Sequence, residues 1–418
     1  MDNKEVIEKA NYCASCIKKP CQTGCPLGND TMGFIKLVKE EKYKEAYELL
    51  CNTTVLSAIC GRICPHEKQC QGKCVKGIRF DPVQIGDIEA FVGEMAIKNK
   101  WNIPTNYKEK LNKKVAVIGG GPAGLTCAAF LAKNGVDVTI YEKHNYLGGI
   151  LQHGIPEFRL NKKLLEEVIQ KILDLGIEVK LNQELGKTFN IELLEKEYDA
   201  IFIGLGANIS SKMRIDGEDL QGVFGGNELL EKQNHPDYLN KTVVVSGGGN
   251  VAMDVSRTIK KLGAKRVIII YRRSEKEMPA ERKEIEEARQ EGIEFLFQNN
   301  IIKILGDKKV EKIECIKTEL VQKEGENRLS PVNIEGSNYY IDVDYVIMAV
   351  GSKAEEKVLN NLGLELDNRG KIKVDEKGRT SKENIFSGGD VAGNIGTVAW
   401  ASRAGRNAAD SILEFLTR

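Results

Sequence analysis

One local plan occurs twice in this chain, and few architectures hold it twice. Residues 114–135 read KVAVIGGGPAGLTCAAFLAKNG, and residues 241–263 read KTVVVSGGGNVAMDVSRTIKKLG, starting 127 positions later. Each is a short, mostly β-branched apolar run, then a triple-glycine turn, then an apolar run at helical spacing. A strand that is apolar throughout has both faces buried, which requires a parallel sheet covered by helices. Further strand-like runs, DAIFIGLGA at 199–207 and DYVIMAVGS at 344–352, carry glycine at or near their ends. The simplest arrangement inserts the second such domain into the first, so that the C-terminal segment completes the first. The expected divisions are 1–110 (small, helical), 111–225 plus 346–418, and 226–345.

The first loop is Gly119-x-Gly121-x-x-Gly124, with Pro122 and Ala123 inside it. Glycine first permits the tight turn, glycine second lets backbone approach a pyrophosphate, and glycine third lets helix pack on strand. The helix N-terminus then faces the phosphates. The next strand, DVTIYE, ends in Glu142, 23 residues after Gly119. A carboxylate there accepts ribose hydroxyl protons and repels a 2′-phosphate. The second loop is Gly247-x-Gly249-x-x-Ala252, with Asn250 opening its helix, and its following strand ends in Arg272 and Arg273. Two guanidinium forks suit a 2′-phosphate. One site is thus expected to take FAD and the other NADPH, which is how a chain moves hydride from nicotinamide to flavin. Transfer between stacked rings needs no protein acid or base, so no catalytic residue is nominated.

Nine of the eleven cysteines precede residue 75. They read Cys13-x2-Cys16-x4-Cys21-x3-Cys25-Pro26, then Cys60-x3-Cys64-Pro65-x4-Cys70-x3-Cys74, with Cys51 outside both sets. In a reducing compartment such clustering signals metal rather than disulfides. Eight thiolates could hold two four-cysteine sites, and cysteine–proline pairs mark iron–sulfur runs. Zinc takes the same thiolates, but usually from paired C-x2-C knuckles, and only one such pair exists here. A flavin in the same chain favours iron. Cys51 and Cys127 are expected to be small packing residues. Cys315 stands alone, and with no C-x2-C beyond the N-terminal unit a dithiol relay has no carrier. The four histidines, His66, His144, His153 and His235, form no ligand pattern.

Basic residues number 61 against 60 acidic ones. That balance gives no electrostatic case for nucleic acid or an anionic membrane. The first residues, MDNKEVIEKANYC, lack the apolar core of a signal peptide, and no apolar run is long enough to span a bilayer. A cytoplasmic protein is expected.

With these motifs in hand, the whole chain resembles the small (β) subunit of NADPH-dependent glutamate synthase and its relatives. Those relatives include the large subunit of NADH-dependent reduced ferredoxin:NADP oxidoreductase and the N-terminal half of dihydropyrimidine dehydrogenase. The resemblance is carried by CASCIKKPCQTGCP, ICGRICPHEKQCQGKC, GGGPAG, GGGNVAMD, YRRSEKEMPA and SGGDVAGNIGTVAWASRAGRNAA. It implies an α/β fold of two Rossmann-like nucleotide-binding domains, for FAD and NADPH, preceded by a small helical domain holding two [4Fe-4S] clusters. It also implies that Gly389 and Asp390 approach the flavin ribityl–pyrophosphate region. By the same resemblance the helix near Thr397 faces the pyrimidine end of the isoalloxazine, and Gly148 and Gly149 let backbone approach FAD. Relatives interleave their ligands, which would put Cys13, Cys16, Cys21 and Cys74 on one cluster and Cys25, Cys64 and Cys70 on the other. Spacing favours Cys60 as the eighth ligand, whereas the resemblance favours Glu89, toward which the reading leans.

The expected role is an electron-input subunit running from NADPH through FAD and clusters to a redox partner subunit or ferredoxin, as part of a hetero-oligomer. Nothing resembles a glutaminase, a 2-oxoglutarate site or a pyrimidine-reducing domain, so the final acceptor should lie on another polypeptide. Competing readings are a component of an electron-bifurcating complex, a self-contained flavin reductase with a zinc-stapled N-terminal module, and a non-catalytic nucleotide-fold scaffold.

Overall fold

The computed structural model describes residues 1–322, 328–393 and 395–418. It resolves into two compact units, one of residues 1–152, 157–207 and 354–418, the other of 153–156 and 208–353.

The first unit opens with short helices, among them Thr31–Lys39, Tyr43–Leu50, Ser57–Ile63 and Ile85–Lys98. Asp30 caps the first of these by accepting the Gly33 N–H at 3.2 Å, which satisfies one of the helix's unpaired donors. Phe34, Ile35 and Val38 face inward from it, and Tyr43, Ala46, Tyr47 and Leu50 from the next. Leu37, on the same helix, is only half-buried. The Ser57–Ile63 and Ile85–Lys98 helices cross at glycines. A Cβ on Gly61 would lie 2.4 Å from the Ala90 nitrogen, and one on Gly93 equally near that of Ala58. Larger residues would force these two helices, which carry cysteine and glutamate side chains, apart.

A five-stranded parallel sheet follows, in the order Ile385–Ser387, Ala200–Ile203, Lys114–Ile118, Asp137–Tyr141, Glu178–Lys180. Its outer strand comes from the C-terminal segment and pairs with Ala200–Ile203, so the second nucleotide fold is inserted in the first, as expected. Val115–Ile118 and Ala200–Ile203 are buried. The Pro122–Ala132 helix is buried at every residue and packs on the C-terminal helix Val398–Leu416. That approach depends on Gly405, where a Cβ would sit 2.1 Å from the Ala123 carbonyl oxygen.

The second unit has its own five-stranded parallel sheet, ordered Val223–Gly225, Tyr345–Met348, Thr242–Ser246, Arg266–Tyr271, Glu294–Phe297. The expected divisions at 225 and 346 fall on two of its strands: Tyr345–Met348 pairs with both Val223–Gly225 and Thr242–Ser246. An antiparallel sheet, Asn299–Leu305 with Lys312–Val321, Ser330–Asn333 and Tyr339–Asp342, adds to this unit. Its pairings cover a buried cluster that includes Ile301, Ile313 and Cys315. Among the described residues no helix is long and apolar enough to cross a membrane.

Candidate cofactor sites

In the first nucleotide loop the first and last glycines of the motif have steric reasons. Gly119 has φ +101°, and a Cβ on it would lie 2.5 Å from the Gly204 oxygen. A Cβ on Gly124 would lie 1.9 Å from the Gly119 oxygen, so helix and strand could not close. Gly121 is the extended residue before the helix, and Pro122 and Ala123 form its first turn. Pro122 costs nothing there, because the first N–H of a helix has no intrahelical partner. Gly148 (φ +113°) and Gly149 (φ +52°) form a second turn on this loop. The Gly148 N–H donates to the Gly120 oxygen at 2.8 Å, and a Cβ on Gly149 would be 2.9 Å from the Gly121 Cα. Glu142, almost fully buried, accepts the Gly120 N–H at 2.7 Å through Oε2 and the His144 N–H at 2.9 Å through Oε1. A carboxylate has about four acceptor positions, so it anchors the loop and keeps capacity for ribose hydroxyls.

Gly389 (φ +81°) places the chain against the same loop, where its Cβ would be 3.2 Å from that of Ala123. Asp390 follows, and burial pushes its carboxyl up while Lys371 opposes the shift. Thr397 accepts the Trp400 N–H at 3.3 Å and so caps the Val398–Leu416 helix. Its oxygen serves the helix while its O–H remains a donor, and beside it a flavin would meet the N-terminal end of a 19-residue dipole.

In the second loop Gly247 has φ +142°, with a Cβ position 2.2 Å from the Ala349 oxygen. Gly249 opens onto space, with nothing within 4 Å of its Cβ position. Ala252 is fully buried against the sheet, while the Oδ1 of Asn250 is buried with no hydrogen-bond partner among the described residues. Arg272 is exposed and Arg273 half-buried, with the Nε and Nη1 of Arg273 buried and unpartnered among the described residues. Their backbone is pinned by the antiparallel sheet, the Thr318 hydroxyl donating to the Arg272 oxygen and the Gln298 N–H to that of Arg273. Buried guanidinium donors without acceptors are costly, and an anionic ligand would supply the acceptors. Arg328, which the motif reading did not nominate, donates to the Glu277 oxygen beside the Tyr271 hydroxyl.

The eleven cysteines are all free of disulfides. Cys13, Cys16, Cys21 and Cys74 line one pocket, together with Thr31, Ile35 and Val83. Cys25, Cys60, Cys64, Cys70 and Glu89 form a second, more deeply buried group. Burial, with Glu89 and Cys60 adjacent, pushes the Cys25 thiol up to about 11. Cys64 is raised by its hydrogen bond with Cys60 and by burial, and Cys70 by burial and by Glu89. Glu89 is pushed up to about 8 by burial, against an opposing hydrogen bond from Asn29 Nδ2 at 3.2 Å. Thiols and a carboxyl that resist ionising this strongly suit a cationic centre that would stabilise their anions. Among the described residues no group of three or more His, Cys, Asp or Glu is arranged to hold a metal ion. Cys51 and Cys127 are buried packing residues, as expected, and Cys315 is buried as well, in the cluster with Ile301 and Ile313. Asn29 and Arg406, which join the cysteine group to its surroundings, carry no motif signal that reading the cysteines alone would find.

Residues 113–405 match the family described as pyridine nucleotide-disulphide oxidoreductase. Residues 1–101 match the family described as dihydropyrimidine dehydrogenase domain II, 4Fe-4S cluster. The chain is 36% identical over 428 residues to the glutamate synthase [NADPH] small chain of Escherichia coli K12, covering 98% of this chain and 91% of that one. It is 33% identical to the NADP(+)-dependent formate dehydrogenase subunit beta of Moorella thermoacetica, covering 96% and 60%. In fold, Mycobacterium tuberculosis FprA in complex with NADPH aligns with a TM-score of 0.66 at 20% identity, over 73% of this chain and 85% of that one. The chain belongs to the pyridine nucleotide-disulphide oxidoreductase family, among the glutamate synthase small-chain type of NADPH-dependent flavoprotein oxidoreductases with an N-terminal 4Fe-4S domain.

Proposed function

We propose that this chain is the electron-input subunit of a larger assembly, passing reducing equivalents from NADPH through FAD and two [4Fe-4S] clusters to a partner polypeptide. The observation that carries this reading is the division of the N-terminal ligands: four thiols line one pocket, and four further thiols with a buried carboxyl form another group. Flavin accepts hydride, and clusters give it a one-electron outlet. The chain's own residues bind and orient. The backbone of Gly119, Gly121, Gly148 and Gly149 admits the FAD pyrophosphate, while Glu142 orients the ribose. Asp390 reaches toward the ribityl chain, and the helix after Thr397 favours negative charge on the flavin. The Gly247–Gly249 turn with Asn250 and Ala252 receives NADPH, and Arg272 and Arg273 take its 2′-phosphate.

For the second metal group we favour Cys25, Cys64, Cys70 and Glu89, with Cys60 as a neighbour of Cys64. Relatives that are a small chain and a beta subunit support the hetero-oligomeric reading, and a thiol-rich chain fits a reducing, cytoplasmic setting. The test is an anaerobic preparation assayed for iron, sulfide, zinc and flavin, with spectra before and after NADPH. About eight iron per FAD, with cluster bleaching, is expected. Zinc without iron, and bleaching of flavin alone, would overturn the relay.

A further inference from the structure

The rim of the first cysteine pocket is unusually apolar for a surface. Ile17 is 96% exposed, Ile78 78% and Phe80 71%, with Tyr12 and Val75 also exposed. Ile17 lies between the pocket-lining Cys16 and Lys19, and Ile78 and Phe80 follow the pocket-lining Cys74, Val75 and Lys76. Cys13, Ala14, Cys16 and Lys19 line the same pocket as Cys74, Val75 and Lys76. The Tyr12 hydroxyl donates to the Asp81 oxygen at 3.1 Å, and the Lys76 Nζ lies 3.5 Å from the centre of the Tyr12 ring. Contiguous exposed apolar groups with a polar border mark interaction sites.

The border is basic. Segments 12–19 and 73–81 hold Lys18, Lys19, Lys73, Lys76 and Arg79 against Asp81 alone, in a chain whose charges otherwise balance. Lys19 is held by Asp30 at 3.1 Å, whereas Lys18, Lys73 and Arg79 are exposed.

We propose that this apolar, basic-rimmed surface over Cys13, Cys16 and Cys74 is the docking port for a protein electron carrier with an acidic rim around an apolar contact. The inference rests on the electron-relay reading above and adds to it the surface and the partner's chemistry. Opposite charges steer encounter and fix orientation, while apolar side chains supply the contact. A cluster held by these thiols would supply a one-electron transfer, giving up one electron that the partner's surface-near centre would gain. No bond forms or breaks, and no proton moves. A second copy of the chain is a poor occupant, because two basic rims would face each other.

The test uses the iron-loaded, FAD-bound full chain, a small acidic ferredoxin, and a basic cytochrome c as contrast. Binding is measured by calorimetry without NADPH, and carrier reduction with it. Wild-type protein should bind the ferredoxin more weakly as salt rises. K18E/R79E should weaken that binding on the order of tenfold or more, improve reduction of cytochrome c, and leave reduction of a small neutral quinone unchanged. F80S should weaken ferredoxin binding without changing its salt dependence. Failure of wild type to bind, or equal binding by K18E/R79E, would overturn the port. So would either of two other results with ferredoxin binding intact: loss of self-association in F80S, or loss of anionic-vesicle binding in K18E/R79E. If iron is absent or NADPH bleaches no cluster, the relay reading fails instead, and the calorimetry still judges the surface.

Discussion

Arg406 Nη1 donates to the backbone oxygen of Leu27 at 2.9 Å, and also to that of Thr53 at 2.8 Å. Arg406 lies on the C-terminal helix that begins at Thr397, and Leu27 follows Cys25 by two residues. One guanidinium therefore ties the flavin-binding module to the loop of the buried cysteine group. Burial pulls it below its usual range, with Asp410 and Cys25 acting to hold the charge.

Replacing Arg406 with Gln should leave two part-buried carbonyls short of a donor, at a cost of about 1 kcal/mol. The functional signature is selective. In rapid mixing with NADPH, flavin bleaching should keep its wild-type rate while cluster bleaching slows, and Arg406→Lys should restore part of it. Equal slowing of both phases would mean that the residue only supports the fold.

Arg273 gives a prediction about coenzyme choice. Its buried Nε and Nη1 have no partner among the described residues, whereas Arg272 is exposed. Charge-assisted hydrogen bonds are worth about 1.5–3 kcal/mol, which converts to roughly 10- to 150-fold. Arg273→Ala should raise the KM for NADPH within that range and leave the KM for NADH nearly unchanged. Arg272→Ala should do the same more weakly. Steady-state kinetics with both coenzymes check it; matched losses with NADH would point to a positional defect.

Cys60 and Glu89 can be separated by iron content. Cys60 is hydrogen-bonded with Cys64, while Glu89 lies close to Cys25, Cys64 and Cys70 and is held by Asn29. Glu89→Ala is expected to lower iron from about eight to about four per chain, and Cys60→Ser to keep it near eight. The reverse pattern would restore Cys60 as the ligand. Both variants can be followed by the electron paramagnetic resonance of the dithionite-reduced protein.

What was readable from sequence follows the range of the interactions. The glycine loops, Glu142 and the arginine pair lie within short segments whose spacing sets their geometry, and the inserted topology follows from glycine-ended strands. Less visible was anything set by partners far along the chain. Arg406 meets Leu27 across 379 positions and Asn29 meets Glu89 across 60, distances over which no periodicity survives. The antiparallel sheet at 299–342 was unread because its strands mix charged and apolar residues, and the expected divisions at 225 and 346 cut strands whose pairing is nonlocal.

Asp199 and Asp344 occupy equivalent places in the two parallel sheets, each just before a strand. Asp199 accepts the Lys114 N–H at 2.8 Å and pairs with Lys113 at 2.9 Å. Asp344 accepts the Thr242 N–H at 2.9 Å and pairs with Lys241 at 3.1 Å. Each carboxylate thus fastens the start of the strand that leads into a glycine loop. Burial opposes ionisation at both, but the backbone N–H and the lysine outweigh it, so both carboxyls sit below their usual range. A depressed folded-state value contributes stability that is present at neutral pH and lost as pH falls through that value. The acid limb should therefore begin near the ordinary aspartate range, about 4, and extend below it. Because these side chains are 34% and 38% exposed, screening limits each to about 1 kcal/mol. Asp199→Asn and Asp344→Asn should each lower the urea midpoint at pH 7, and the difference from wild type should shrink steadily as pH drops toward 3. A difference that stayed constant with pH would place the effect in packing rather than charge.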